Sequence, residues 1–382
     1  MQIGDKMTKI IITSNGISKR NPVMDELFST YCGGKSVCVI ANAANINSGN
    51  FVNREVVKKN LLELGALQVD VVNLNIVTVN SLLKYNVVYI MGGKLEDLER
   101  AIREVNTREV LEKFMENGVI ICEGEGAIAL TEDFKYYYEI NNKLSLMPDS
   151  ETYKGLGFIK YKIYPKYNLL GDFVKKKILD YNHEHIGNAI TRLEDGEYIL
   201  IDNLEEFPEL TMCYDENGTK LYRNEGIVKI KEEGMYYGLV GMWVINSKGQ
   251  VLLQKRNADK KSNPNMWAIC AGHIQTCESY EEAVVREARE ELGLRLEKKD
   301  YTHFVDLSVG SKLYKGYYTL CDWAIQNFKR QESEVSELKW VDFEEFKNMY
   351  KKGDETIVFK KCEAFDTEFR KLGRIVAKLK TK

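Results

Sequence analysis

The sequence predicts two domains, an α/β domain built on a mostly parallel sheet and then an α+β domain. The chain has 382 residues, beyond the length at which one hydrophobic core usually stops growing. From Lys9 to about Asn203, short β-branched runs alternate with helical patterns, the rhythm of a sheet wound with helices on both faces. After EFPEL, Glu206 to Leu210, the chain reads instead as turns and hairpins, YDENGTKL and then LVGMWVINSKGQVLLQKR, so the expected domains are residues 1–207 and 208–382.

In the first half the expected strands are IIITSNG, SVCVIANAA, VDVVNLNI, NVVYIMGG and GVIICEG. Between two of them Leu95, Leu98, Ile102 and Val105 recur at helical spacing, which lays one helix face on the sheet. The second half holds one strong helix from about Ser279 to Leu292, later strands at HFVDLSV, KGYYTLCDWAI and SELKWV, and a C-terminal helix from Asp366. Strands and a few helices in irregular order make an α+β pattern.

Composition narrows the function. With 44% hydrophobic and 29% charged residues the chain is of the folded, soluble class. A net charge of -3 offers no general attraction to nucleic acid or anionic membrane, so neither is an expected partner. The eight cysteines contain no CxxC pair and are expected as reduced thiols in a cytoplasm. MQIGDKMTKIIITSNG lacks the long apolar run of a signal peptide or membrane span.

One stretch demands explanation. REAREELG, Arg286 to Gly293, crowds Glu287, Glu290 and Glu291 into about one helical turn, where like charges repel. Val284, Val285, Ala288 and Leu292 form a neighbouring apolar stripe that can dock the helix on a sheet. The carboxylates then point together, an arrangement suited to a hard divalent cation such as Mg2+, which prefers oxygen ligands. A solvated charged face is the bland alternative.

Gly272 to Leu294, GHIQTCESYEEAVVREAREELGL, matches the whole Nudix signature GX5EX7REUXEEXGU, with Gly272, Glu278, Arg286, Glu287, Glu290, Glu291 and Gly293 at the required spacing. Ala288 departs from the pattern by standing where a larger aliphatic is usual. The segment LVGMWVINSKGQVLLQKRNADKKSNPNMWAICAGHI that leads into this box is similar to the isopentenyl-diphosphate-isomerase-like subgroup, and the resemblance runs from about Glu209 to Phe346.

That resemblance implies a Nudix fold in which Glu287, Glu290 and Glu291 hold Mg2+, or Mn2+ in its place, with the Gly272 carbonyl as a further ligand. Arg286 and Glu278 are the implied orienting ion pair. The implied reaction is attack of water on a phosphorus of a small-molecule diphosphate, with Glu290 or Glu287 accepting the proton. Glu334, in SEVSELKWV, is a candidate extra carboxylate or else a solvated surface residue. Lys255 and Arg256 are candidate substrate-phosphate contacts or else solvated strand ends. Trp243 and Trp267 divide similarly between base stacking and core.

The isomerase reaction is the rival within this fold. It needs a cysteine immediately before the GH dipeptide, where this chain has Ala271; Cys270 lies one residue earlier and on a strand faces the other side. Its Nudix box is degenerate and this one is intact, which favours hydrolysis.

In the first half, YNVVYIMGG, GVIICEGEGAIALTEDF and GLGFIKYKIYPKYN resemble the peptidase E (aspartyl dipeptidase) family, serine hydrolases with a class I glutamine-amidotransferase-like α/β fold. The family carries its nucleophile in GxSAGA; here CEGEGA puts Gly124 at the serine position and Glu125 beside it. Lys166 stands where the catalytic histidine precedes Tyr, and Lys94 where Asn follows the paired glycines. Acyl transfer needs an attacking oxygen and a base, so this domain is expected to be a catalytically inactive module for binding, regulation or homodimerisation. Either Glu123, Glu125 and Lys166 line a reshaped pocket, or Lys166 neutralises a buried acid. A two-domain nucleotide sensor without catalysis is the competing class of function; a pure binder has no need of every metal-site carboxylate.

Overall fold

A computed structural model of the chain describes residues 9–43, 51–104, 107–143, 153–185, 188–205 and 207–380. It divides into two compact units, residues 1–210 with 222–225, and residues 211–221 with 226–382. Val105 and Glu206, used above to mark a helix face and the domain boundary, lie outside the described residues.

The first unit is a mostly parallel sheet. All five expected strands form, as Ile10–Thr13, Ser36–Ile40, Gln68–Val72, Val87–Ile90 and Val119–Glu123. Ile10–Thr13 pairs in parallel with Val119–Glu123, which pairs in parallel with Val87–Ile90; Ser36–Ile40 then lies between Val87–Ile90 and Gln68–Val72. On the other side of Ile10–Thr13 runs an antiparallel strand, Tyr198–Ile201. Ile11, Val39, Tyr89 and Ile121 join a core under one face, while Ile10, Ile12, Cys38, Val88 and Ile120 are equally buried on the other. Both faces are covered, which is why these strands read as continuous apolar runs rather than alternating ones. In the helix Leu95–Glu104, Leu95 and Leu98 are buried.

The second unit is a mixed sheet between two helical layers. Tyr236–Ile245 is central, antiparallel to Cys270–His273 and parallel to Lys312–Leu320, while Gln250–Arg256 pairs with Val335–Asp342. Tyr301–Val309 adds to the Lys312–Leu320 side. The expected strand through CDWAI stops at Leu320, and the C-terminal helix starts at Glu363, three residues before the Asp366 start read from the sequence. Two cores result. One contains Val240, Cys270, Val284, Ala288 and Leu292; the other contains Trp243, Ile245, Leu253, Phe346 and Phe369. Trp243 is therefore a core residue.

Candidate functional site

The helix Tyr280–Leu292 is fixed at both ends. Ser279 accepts a hydrogen bond from the Glu282 amide while the Glu282 side chain accepts from the Ser279 amide, a reciprocal N-terminal cap. Gly293 takes the left-handed conformation at φ 72° and closes the C-terminus with bonds to Ala288 and Arg289 carbonyls. Val284, Ala288 and Leu292 dock the helix on Cys270 and Val240, and Ala288, smaller than the usual aliphatic, is fully buried there. The acidic side of the helix thereby meets the strand Cys270–His273.

Arg286 organises that side. Its Nε and Nη2 donate to Oε1 and Oε2 of Glu278 at 2.7 and 3.0 Å, and Nη2 also donates to the His273 carbonyl at 2.8 Å. Nη1 donates to Glu287 at 2.6 Å and Glu290 at 3.2 Å. Burial is nearly complete for Glu278, Glu287 and Glu291. Glu278 also accepts from the Gln275 amide, which fixes the strand-to-helix loop.

Glu287 lies directly over Gly272. A Cβ on Gly272 would stand 1.9 Å from Glu287 Oε1, so only glycine leaves the carboxylate its place. Next to it, Glu291 Oε2 accepts from the Ala271 amide at 3.2 Å and from Gln254 Nε2 at 2.8 Å. Burial, followed by the charges of Glu291 and Glu290 against the relief from Arg286, raises the Glu287 pKa above the carboxylate range. Burial also raises that of Glu291, against the relief from Gln254 and Ala271; the charge of Glu334 adds to the rise.

Among the described residues no three His, Cys, Asp or Glu side chains stand together as a metal-holding group. The resemblance implies that all three glutamates hold one cation; in the structure Glu287 and Glu290 accept from the Arg286 guanidinium, and Glu291 accepts from Gln254 and the Ala271 amide. The donor set nevertheless fits a hard divalent ion. Two buried carboxylates of like charge meet at a backbone cleared by Gly272, and buried Gln254 Oε1 has no hydrogen-bond partner among the described residues. Such a site favours a cation that restores the ionised form. Glu287, Glu290 and Glu291, with the Gly272 carbonyl, would hold it.

The remaining candidates are more dispersed. Glu334 is paired with Lys260 at 2.5 Å, near enough to act on the Glu291 pKa. Arg256 donates to the Ser262 carbonyl at 3.0 Å. Lys255 lies 6.0 Å from the centre of the Trp267 ring, with Lys339 closer at 3.9 Å; strand alternation turns it to the face opposite Gln254. Cys270 belongs to the core under the helix while Ala271 faces the other core, so no thiol stands at the isomerase position. Gln254 carries no signal of its own in the sequence, because a Gln between Leu253 and Lys255 resembles any strand-end polar residue. Its inward placement was nonetheless legible from the alternation.

In the first unit, Gly124 bridges the strand Val119–Glu123 and the short helix Glu125–Ile128 at φ 51°, ψ −122°, a conformation that strongly favours glycine. A Cβ there would lie 3.7 Å from Lys166 Nζ and 3.6 Å from the Ser14 carbonyl oxygen. Lys166 is itself left-handed at φ 56°, and its amide donates to Ser14 Oγ at 2.8 Å. Glu125 accepts from the Gly93 amide at 3.1 Å and from Tyr137 at 3.4 Å. Glu123 accepts from the Gly92 amide at 3.2 Å and from the Tyr89 hydroxyl. Burial raises the Glu123 pKa, with Lys166 among the groups that offset it. Residues 92 and 93 thus spend their amide donors on internal carboxylates, and the turn from Glu123 to Gly126 carries no hydroxyl side chain.

Comparison with known proteins separates the two halves in the same way. Residues 10–206 match the model of Peptidase family S51 and residues 235–360 that of the NUDIX domain. Nudix hydrolase 3 of Arabidopsis thaliana is 31% identical over 168 residues, which are 40% of this chain and 21% of that protein. Isopentenyl-diphosphate Delta-isomerase of Escherichia coli is 46% identical over 56 residues, 14% of this chain and 30% of that enzyme. The chain thus spans less than a third of either relative. A solved Listeria monocytogenes EGD-e protein named as a peptidase E is 20% identical, covering 51% of this chain and 95% of that one with a TM-score of 0.41. No helix among the described residues is long and apolar enough to cross a membrane. The chain belongs to peptidase family S51 through its first half and carries a NUDIX domain in its second.

Proposed function

We propose that the NUDIX domain hydrolyses a diphosphate bond in a nucleoside diphosphate derivative or related organic diphosphate, with Mg2+, or Mn2+ in its place, held by Glu287, Glu290, Glu291 and the Gly272 carbonyl. The main support is the packing of Glu287 over Gly272 beside Glu291, an arrangement a solvated helix face would not need. The bound ion would neutralise charge developing on the diphosphate and acidify the attacking water. Arg286, clamped by Glu278, holds the Glu287 and Glu290 carboxylates in place. Glu290, with a side chain 20% exposed against 12% for Glu287, is the carboxylate best placed to take the proton from water.

The S51 domain is, in this reading, a non-cleaving binding or regulatory module. Gly124 in place of a hydroxyl and Lys166 in place of a histidine support it. Eight free thiols agree with a reducing, cytoplasmic setting. The test is a panel of nucleoside triphosphates, nucleotide sugars, dinucleotides and prenyl diphosphates incubated with Mg2+, comparing the wild type with a Glu290→Gln, Glu291→Gln variant. Metal-dependent products from the wild type alone support the proposal. Turnover of aspartyl dipeptides that is lost on changing Lys166 would overturn the view of the first domain.

A further inference from the structure

The second unit carries a groove on the side of the sheet away from the glutamates. It lies between the helices Phe343–Lys352 and Glu363–Lys380, whose inner faces cover the Trp243 core. Its volume is about 410 Å³, in the range of small-molecule sites. Lys347 and Lys351 line one wall at i, i+4 spacing, Arg370 and Arg374 the other. Like charges at that spacing repel, and here two such pairs face one space.

The acids on the groove do not answer them all. Glu344 is paired with Lys347 at 3.2 Å, and Asp366 accepts from the Tyr350 hydroxyl at 3.0 Å. Lys351, Arg370 and Arg374 make no ion pair among the described residues. Tyr350 stacks on Phe369 at 4.3 Å beneath them; both rings are buried and belong to the core, so the groove offers a ligand charge rather than an aromatic face. Arginines present forked donors suited to phosphoryl oxygens, and a lysine adds a point charge. Three cations spread over two walls match separate phosphoryl groups better than one monoanion.

We propose that this groove is a second anion site, for a small molecule with two or more phosphoryl groups, bound without metal by Lys351, Arg370 and Arg374. The test is calorimetric titration of the full chain with inorganic pyrophosphate in excess EDTA, which removes divalent ions and so excludes binding that depends on them at the glutamates. The wild type should bind pyrophosphate more tightly than sulfate, with an affinity that falls as salt is raised. An Arg370→Ala, Arg374→Ala variant should lose about tenfold or more in that affinity, Arg370→Lys, Arg374→Lys should recover part of it, and metal-dependent hydrolysis by both should equal the wild type's. Absence of binding to folded wild type, or equal binding by the alanine variant, would overturn the proposal and leave the hydrolase assignment untouched.

Discussion

Arg286 and Glu278 form a two-pronged ion pair, 2.7 Å and 3.0 Å, in which both side chains are almost withdrawn from water. Glu278→Ala leaves Arg286 bonded to Glu287, Glu290 and the His273 carbonyl but takes away two charge-assisted hydrogen bonds, so it should destabilise the second unit by about 1.5–3 kcal/mol. Urea unfolding followed on the tryptophans, all four of which lie in this unit, would measure it; a change below about 1 kcal/mol would place the pair among surface bridges of little weight.

Gly272→Ala should leave the fold intact and remove the activity. The new Cβ would stand 1.9 Å from Glu287 Oε1, so the carboxylate must swing away, and misplacement of this order costs about 10²-fold in rate. Turnover under saturating Mg2+, together with an unchanged far-UV dichroism spectrum, checks this.

Gln254→Leu should weaken Mg2+ binding. The amide donates to Glu291 at 2.8 Å from a fully enclosed position, and loss of a partner that orients a metal ligand typically costs about 10–100-fold in affinity. Calorimetric titration with Mg2+ measures the shift directly; an unchanged affinity would reduce Gln254 to packing.

Glu368 gives a pH signature independent of the metal. It is fully buried, accepts from Trp243 Nε1 at 2.8 Å and Tyr314 at 2.5 Å, and its Oε2 has no hydrogen-bond partner among the described residues. Burial pushes its pKa up from 4.5 to about 7. The folded state thus binds this proton more tightly than the unfolded chain, so its contribution is complete below about 4.5 and is lost as pH rises through about 7. Over that window the wild type should lose up to about 3 kcal/mol relative to Glu368→Gln. Parallel stability curves for the two proteins from pH 4.5 to 8 would contradict it.

Much of this was legible in the sequence, and the parts that were not share a physical reason. The Nudix helix could be read because its cap, its apolar stripe and its acidic side all depend on residues within one or two turns. The five parallel strands were legible because both faces are buried, which leaves unbroken runs such as Ile10–Thr13. Tyr198–Ile201 is not legible, because it offers only a short apolar run and its antiparallel partner, Ile10–Thr13, lies far away in sequence. The same distance hid Gln254 from Glu291 and Trp243 from Glu368.

Mg2+-dependent hydrolysis tests the central claim most directly. Purified protein carrying both domains is incubated with the diphosphate panel, with and without Mg2+, beside the Glu290→Gln, Glu291→Gln variant, and phosphate-bearing products are quantified. The account predicts at least one substrate cleaved only with the ion present, and a loss of 10²-fold or more in the variant, on the order seen when catalytic groups are removed. Cleavage that persists in EDTA, or that the variant performs at the wild-type rate, would contradict it.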